Sequence, residues 1–109
     1  IVNKSTIKVY IIQNIDRKIA LNDMSKSKGM KMGELLTEIE SIVGSGTKID
    51  INYYINELID EDRQADIFNY FKTAETDSAE DALQELGEND YTLDEIRMMR
   101  IKFMSELGN

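Results

Sequence analysis

Basic side chains gathered around one glycine are the residues of this sequence best suited to bind a ligand. Three lysines lie within three positions of Gly29, and a further arginine and lysine precede them by about two helical turns. Lysine and arginine bind phosphate groups through charge and hydrogen bonds. The spacing therefore predicts a surface for a polyanion such as DNA, with five candidate contacts: Arg17, Lys18, Lys26, Lys28 and Lys31.

The distribution of charge along the chain agrees with this prediction but allows another interpretation. Residues 1–33 have a net charge of +5, whereas residues 34–109 have a net charge of −13. A basic segment for a polyanion followed by an acidic body for a basic partner is one interpretation. A solvated surface whose charges happen to separate along the chain is the other, and the sequence leaves both open.

Catalytic chemistry has little support in the composition. The 109 residues include no cysteine and no histidine, which excludes thiolate nucleophiles, disulfides, Cys/His zinc sites and imidazole bases. The segment Gly44-Ser-Gly46 is not a phosphate loop, because Thr47 follows the second glycine where that loop needs lysine. We expect no catalytic residue, no metal and no cofactor in this chain.

The residues around Gly29 fit a helix-turn-helix. In that arrangement a glycine adopts positive φ in the turn, a small residue lets the two helices approach, and apolar residues fix their crossing. Many helical hairpins share this pattern, so it does not by itself prove DNA binding. The residues at those positions are Met24, Ser25, Gly29, Met30, Leu35 and Ile39.

Apolar spacing predicts an all-α fold, a compact bundle of six to seven short helices within a single domain, 1–109. Its parts are a lead-in helix over 1–18, the helix-turn-helix over 19–45 and an acidic helical part over 46–109. Residues 5–15 are rich in β-branched residues, but we favour a helix because no other segment resembles a strand. The predicted core is Leu35, Ile39, Ile42, Ile55, Phe71, Leu83, Ile96 and Phe103.

Start signals and inward residues are also predicted for the later helices. Asp50 is the candidate N-cap of a helix over 51–59, and Asp77 and Thr92 each begin a capping box. The helix that follows Asp77 should bury Leu83 and Leu86, among others. For the last helix the inward residues are expected to be Leu93, Ile96, Phe103 and Leu107.

Three stretches together resemble a known family. Tyr10–Gly29, Gly33–Val43 and Ser45–Tyr54 are similar to the helix-turn-helix region at the C-terminal end of bacterial RecQ-type DNA helicases. The later run Asp77-Ser-x-x-x-Ala-Leu-x-x-Leu-Gly, followed by Tyr91-x-x-x-Glu-Ile-Arg, is similar to the second half of that region. The resemblance covers roughly residues 10–107 and rests mainly on apolar and glycine positions.

The resemblance implies a non-catalytic accessory domain. The parent would be an ATP-dependent, 3′-to-5′ DNA-unwinding enzyme of recombination and repair, with its motor, a cysteine-ligated zinc subdomain and a winged helix upstream. Such a protein would be cytoplasmic, in a bacterium, and associated with the nucleoid. The first residue is Ile1, not methionine, which fits a fragment of a longer chain. No apolar run approaches the ~20 residues of a membrane span, so no membrane partner is expected.

The second helix of the motif lacks the basic residues expected of a helix that reads DNA bases. It carries Glu34, Glu38 and Glu40, and Lys31 at its start is its one basic residue. Carboxylates are repelled by phosphates, so DNA contact should be weak, of backbone type and without base readout. Docking to the helicase motor domains or to a protein partner is a second role that fits the sequence. An acidic protein-interaction module and a stand-alone helix-turn-helix regulator are further possibilities. The sequence does not indicate the oligomeric state.

Overall fold

Seven α-helices make up the fold in the computed structural model, which describes residues 4–107. No strand occurs within that range, so the predicted all-α class is confirmed, as is the choice of helix over strand for residues 5–15. The helices are α1 Lys4–Asp16, α2 Leu21–Ser27, α3 Met32–Gly44, α4 Asn52–Leu58, α5 Glu61–Thr73, α6 Ala79–Leu86 and α7 Leu93–Leu107.

The helices α3 and α7 form the centre of the molecule. The long helix α7 packs against α3, α4, α5 and α6, while α3 also packs against α1 and α2. The body measures 38 × 27 × 23 Å. A buried hydrogen bond joins the end of α7 to the loop before α4, in which Ile49 N donates to Ser105 Oγ at 3.1 Å. Because α3 packs directly against α7, the α2–α3 motif is fixed to the C-terminal helices.

Six of the eight predicted core residues are buried, and Leu83 and Phe103 are only half-buried. Phe103 lies at the edge of an aromatic group, with its ring centre 5.5 Å from that of Phe68 and 5.8 Å from that of Phe71. Leu86 of α6 is also half-buried. The six residues that are buried as predicted are Leu35, Ile39, Ile42, Ile55, Phe71 and Ile96.

The inward face predicted for α7 is confirmed for Ile96, which is buried, and for Leu93 and Phe103, which pack against the core, but it is wrong for Leu107 and incomplete. Leu93 is half-buried and Leu107 is 55% exposed. A single apolar stripe describes a helix that packs on one side, but α7 has neighbours on several sides and therefore buries residues around more of its circumference. Its buried residues are Ile96, Met98, Met99, Ile101 and Ser105.

The capping box at the start of α7 is confirmed by two hydrogen bonds. Glu95 N donates to Thr92 Oγ1 at 3.1 Å, and Thr92 N donates to Glu95 Oε1 at 2.9 Å. These bonds satisfy two backbone N–H groups that would otherwise lack partners at the helix start.

The other two predicted starts are wrong by one residue. At α6 the cap is Ser78, whose side chain accepts from Asp81 N, because the carboxylate of Asp77 instead accepts from Arg100 at 2.8 Å. At α4 the cap position is Ile51. Asp50 Oδ1 accepts from Asn52 N two residues later, which makes a turn that leads into the helix.

Candidate nucleic-acid interface

The turn between α2 and α3 has the backbone geometry that the sequence predicts. Gly29 has a φ of +65°, a conformation that costs residues with a Cβ atom free energy. Met30 N donates to Ser25 O at 2.8 Å, and Gly29 N donates to Lys26 O at 3.2 Å. This pair of bonds is a Schellman motif, which ends α2 and directs the chain into α3.

The packing between α2 and α3 also matches the predicted motif. Met24, Leu35 and Ile39 are each at most 1% exposed, and Met30 is half-buried. Ser25 is buried and donates its hydroxyl to Asn22 O at 2.9 Å, so the small side chain sits at the helix contact with its polar atom satisfied. The helix-turn-helix is therefore a packed unit that positions the residues around its turn.

A second Schellman motif ends α1 and places one candidate base in an unusual backbone conformation. Lys18 N donates to Ile15 O at 2.9 Å, and Ile19 N donates to Asn14 O at 3.0 Å. Lys18 occupies the position that usually holds glycine and has a φ of +58°. For a residue with a Cβ atom, this conformation lowers the free energy of unfolding by about 1 kcal/mol.

Tyr53 of α4 fixes this turn to the rest of the domain. Its hydroxyl donates to Ile19 O, which connects the start of the motif with α4. Burial, with lesser effects from the charges of Asp50 and Glu57, raises the pKa of Tyr53 to about 12. The phenol therefore stays protonated and able to donate at neutral pH.

The five predicted DNA-contact residues lie at two neighbouring turns, and all are exposed. Arg17 and Lys18 follow α1, whereas Lys26, Lys28 and Lys31 surround the α2–α3 turn. Lys28 Nζ lies 4.4 Å from the centre of the Tyr10 ring, a cation–π contact that ties this turn to α1. Within the described part of the chain, none of the five forms an ion pair.

Lys48 is a basic residue near this surface that the sequence patterns did not indicate. It shares with Lys18 a cleft of 420 Å³ between α1 and the segment 48–56, and it is exposed. Asp16 and Asp50 line the same cleft, so the cleft is mixed in charge. Thirty residues separate Lys18 from Lys48 in sequence, and no local pattern could have placed them together.

The bases of the C-terminal helices are in a different state, because most are neutralised within the chain. Arg63 binds Glu95 at 2.7 Å, Arg97 binds Glu40 at 2.7 Å and Arg100 binds Asp77 at 2.8 Å. Lys102 binds Glu106 at 2.7 Å. Lys72, exposed in the last turn of α5, is the exception among the described bases of these helices. Free positive charge is thus concentrated before α4.

The acidic character expected for α3 is partly cancelled by α7. Glu40 is half-buried and accepts two hydrogen bonds from Arg97, whose guanidinium also donates to Thr37 Oγ1 at 2.9 Å and to Gly33 O at 3.2 Å. Glu34 Oε1 accepts from Lys31 N at 2.9 Å and so caps the start of α3. One face of α3 is therefore covered by α7, a contact that helix patterns alone did not predict.

Comparison with known protein families supports the resemblance found in the sequence. Residues 5–55 match the model of the RecQ-1-like helix-turn-helix domain. The match runs from α1 into α4 and includes both turns with all five candidate bases. It ends before α5, so the similarity of residues 77–97 to the second half of the RecQ region stays a prediction. No curated protein matches the chain.

None of the helices within residues 4–107 is long and apolar enough to cross a membrane.

Proposed function

We propose that this chain is a non-catalytic accessory domain of a RecQ-type, ATP-dependent DNA helicase. In this role it contacts the DNA backbone through Arg17, Lys18 and the three lysines around Gly29. The parent enzyme would act in recombination and repair, in the cytoplasm at the bacterial nucleoid. The family match to a RecQ helix-turn-helix domain supports the RecQ association, and the exposed bases before α4 support the DNA contact.

The proposal rests on one observation, namely which bases are already paired with a carboxylate and which are not. A cation already bound by a carboxylate must break that ion pair before it can neutralise a phosphate, whereas an unpaired, exposed cation can do so directly. Arg63, Arg97 and Arg100 are bound by carboxylates. The five bases at the two N-terminal turns have no such partner among the described residues.

Lys18 adds a second, independent support. Glycine would adopt a φ of +58° without strain, so a lysine at this position lowers the stability of the fold. Residues held in such conformations are concentrated at functional positions. A side chain that contacts phosphate would explain why this turn carries a lysine.

Backbone contact without base readout fits the covered face of α3. Arg97 occupies the face that bears Gly33, Thr37 and Glu40, which leaves less of α3 available to read bases in a groove. With three to five phosphate contacts, affinity should be in the micromolar range or weaker. On duplex DNA the logarithm of the affinity should fall by about 0.9 for each contact per tenfold rise in salt concentration.

The test compares variants in their affinity for a labelled forked duplex at two salt concentrations. Lys26, Lys28 and Lys31 are changed together to Glu, and Lys18→Gly removes one charge at the second turn while relieving its backbone. Lys72→Gln is the matched control for Lys18→Gly, because it removes one exposed, unpaired charge outside the proposed interface. Circular dichroism verifies that each variant is folded.

The proposal expects the triple variant to lose binding, Lys18→Gly to weaken it and Lys72→Gln to leave it unchanged. Equal binding by the triple variant and the parent would overturn the DNA contact. Docking to the motor domains or to a protein partner would then be the better account of the domain.

A further inference from the structure

The cleft beside Lys18 has an interior that the proposed backbone contacts do not use. Its volume is 420 Å³, and sites for small organic ligands span about 300–1,000 Å³. Apolar side chains of α1 and of the segment 48–56 line it, and carboxylates, amides and lysines complete the lining. An apolar lining with a few polar groups suits an organic ring better than an inorganic ion. The apolar residues are Ile12, Ile15, Ile49 and Tyr53.

Two asparagines of the cleft offer hydrogen-bond donors to a ligand. Asn52 Oδ1 already accepts from Lys102 Nζ at 2.8 Å, and Asn56 Oδ1 accepts from Gln64 Nε2 at 3.0 Å. Neither Nδ2 group donates to another residue of the described chain. The amide NH₂ groups are therefore available to a carbonyl oxygen or a ring nitrogen of a ligand.

Two carboxylates of the same cleft offer the complementary acceptors. Asp16 and Asp50 are exposed, and neither forms an ion pair within the described residues. Asp50 Oδ1 accepts from Asn52 N at 2.9 Å, which leaves its Oδ2 for a ligand. An ionised carboxylate accepts hydrogen bonds and cannot donate them. The cleft is thus suited to a group that carries both N–H donors and oxygen or nitrogen acceptors, as the edge of a nucleobase does.

We propose that the cleft binds one unpaired nucleotide of single-stranded DNA, with its base inside and its phosphates on Lys18 and Lys48. This inference rests on the proposed function, because Lys18 belongs to the cleft and to the proposed DNA surface. In a duplex the pairing edge of each base is occupied and its faces are stacked, whereas an unpaired base exposes them all. Only an unpaired base can therefore use the apolar lining and the polar groups together.

A second cleft makes a strand a better occupant than a free nucleotide. It has a volume of 320 Å³ and shares four lining residues of the segment 48–52 with the first cleft. The two clefts therefore adjoin along this segment, between Lys18 and Lys102. A ligand with a repeating backbone can occupy both parts, whereas a single nucleotide fills only one.

The carboxylates of the cleft predict which pyrimidine binds more tightly. Cytosine has an N4 amino group that donates to a carboxylate, whereas thymine has the carbonyl oxygen O4 at that position. Beside Asp16 or Asp50 the amino group gains a hydrogen bond, and the carbonyl oxygen is repelled. We expect oligo(dC) to bind about fivefold more tightly than oligo(dT).

Fluorescence anisotropy of the whole chain with labelled single strands of about ten nucleotides measures this ratio. Asp16→Asn and Asp50→Asn together should make the two affinities equal, because an amide can face either base. The amide in place of Asp50 still accepts from Asn52 N, so the turn into α4 is retained. The matched control is Glu85→Gln with Glu88→Gln, which removes two exposed carboxylates outside the cleft and should preserve the ratio.

Two further measurements test the placement of the phosphates and the nature of the ligand. Lys48→Gln should weaken both oligonucleotides alike, by about threefold at low salt, since the phosphates of the two strands are the same. Free dCMP should compete at least about 100-fold less well than oligo(dC), because it lacks the neighbouring nucleotides.

Equal affinity of the parent chain for the two oligonucleotides would overturn the proposal. So would a preference that persists in the double Asp variant or is lost in the double Glu control, or a Lys48→Gln variant that binds as the parent does. Competition by dCMP as strong as that by oligo(dC) would identify a free-nucleotide site and overturn the single-strand proposal. The ratio does not depend on the lysines around Gly29, whereas the forked-duplex test does, so the two proposals fail separately.

Discussion

Arg97 of α7 binds Glu40 of α3 through two hydrogen bonds, with Nη2–Oε1 at 2.7 Å and Nε–Oε2 at 3.1 Å. The side chains are only 16% and 21% exposed. A carboxylate that would repel DNA if it faced solvent instead joins the helix-turn-helix to the C-terminal helices. The acidic C-terminal helices thus have a structural connection to the helix-turn-helix, in addition to any role in binding.

This ion pair should contribute measurably to stability. Arg97→Ala and Glu40→Gln should each lower the free energy of unfolding by about 1–3 kcal/mol, which lies between the values for exposed and fully buried pairs. The matched control is Glu106→Gln, which breaks the more exposed i,i+4 pair with Lys102 and should cost no more than about 0.5 kcal/mol. Urea unfolding measures all three, and equal losses in Glu40→Gln and Glu106→Gln would contradict the prediction.

The ion pair between Arg63 and Glu95 should make stability depend on acid pH. Burial alone would raise the pKa of Glu95, but hydrogen bonds from Arg63 and Thr92 outweigh it and hold the pKa below its ordinary value. The folded state therefore favours the charged form. The resulting stabilisation is complete above the ordinary pKa near 4.5 and is lost as the pH falls through the lower folded-state value.

Glu95→Gln should consequently destabilise the domain by about 1–2 kcal/mol near neutral pH. The difference from the parent should shrink toward zero in strong acid, where Glu95 is protonated in both folded and unfolded chains. Unfolding free energies measured at a series of pH values give the comparison. A difference that stayed constant down to about pH 2 would show that ionisation of Glu95 is not its cause.

Tyr53 should have the opposite effect at alkaline pH. Its pKa is raised to about 12, first of all by burial, so folding favours the neutral phenol. The stabilisation is present below the ordinary value of 10.0 and is lost as the pH rises through about 12. Tyr53→Phe should cost about 1 kcal/mol at neutral pH, because Ile19 O loses its donor.

Above about pH 10 the difference between Tyr53→Phe and the parent should become smaller, since the parent loses the stabilisation that the variant already lacks. Urea unfolding at increasing pH measures this difference. Tyr70→Phe serves as the control at neutral pH, because the Tyr70 hydroxyl forms no hydrogen bond with any residue in the described range 4–107. A difference that grew with pH would contradict the prediction.

Local sequence signals predicted the helix-turn-helix well because the features that define it lie within a few residues of one another. Gly29, Ser25 and Met24 determine one turn and one helix contact, and each has the predicted role. The same signals failed for Leu107 and for Glu40, because their environments depend on which helices α7 meets in space. Partners 57 residues apart, such as Glu40 and Arg97, leave no periodic pattern in one sequence.

Sequence signals were also insufficient to show which bases of the candidate interface are free of carboxylate partners. Their number and position were evident from the sequence, but their availability depends on which cations find carboxylates in the folded chain. In the sequence Arg63 and Lys48 are both simply basic residues. In the folded chain Arg63 is bound by a carboxylate, whereas Lys48 has no such partner among the described residues. Which bases remain free to meet a phosphate is therefore a property of the tertiary structure.

The last prediction concerns Glu38, which shares a face of α3 with Lys31 and Glu34, at spacings of three and four residues. Glu34 caps α3 through its bond with Lys31 N, so its replacement would cost stability as well as change charge. Glu38 has no hydrogen-bond or ion-pair partner for its side chain among the described residues. It is therefore the position where charge beside the basic turn can be changed most cleanly.

Glu38→Lys should strengthen binding to a forked duplex by about three- to tenfold at low salt and steepen the salt slope by about 0.9, without creating a preferred sequence. Glu85→Lys is the matched control, because it makes the same charge change at an exposed position on α6, away from the turn. If both variants strengthen binding equally, only the net charge of the chain matters. Stronger binding by Glu38→Lys alone would localise the DNA contact to the turn, because a phosphate close to Lys31 gains from a second cation on the same helix face.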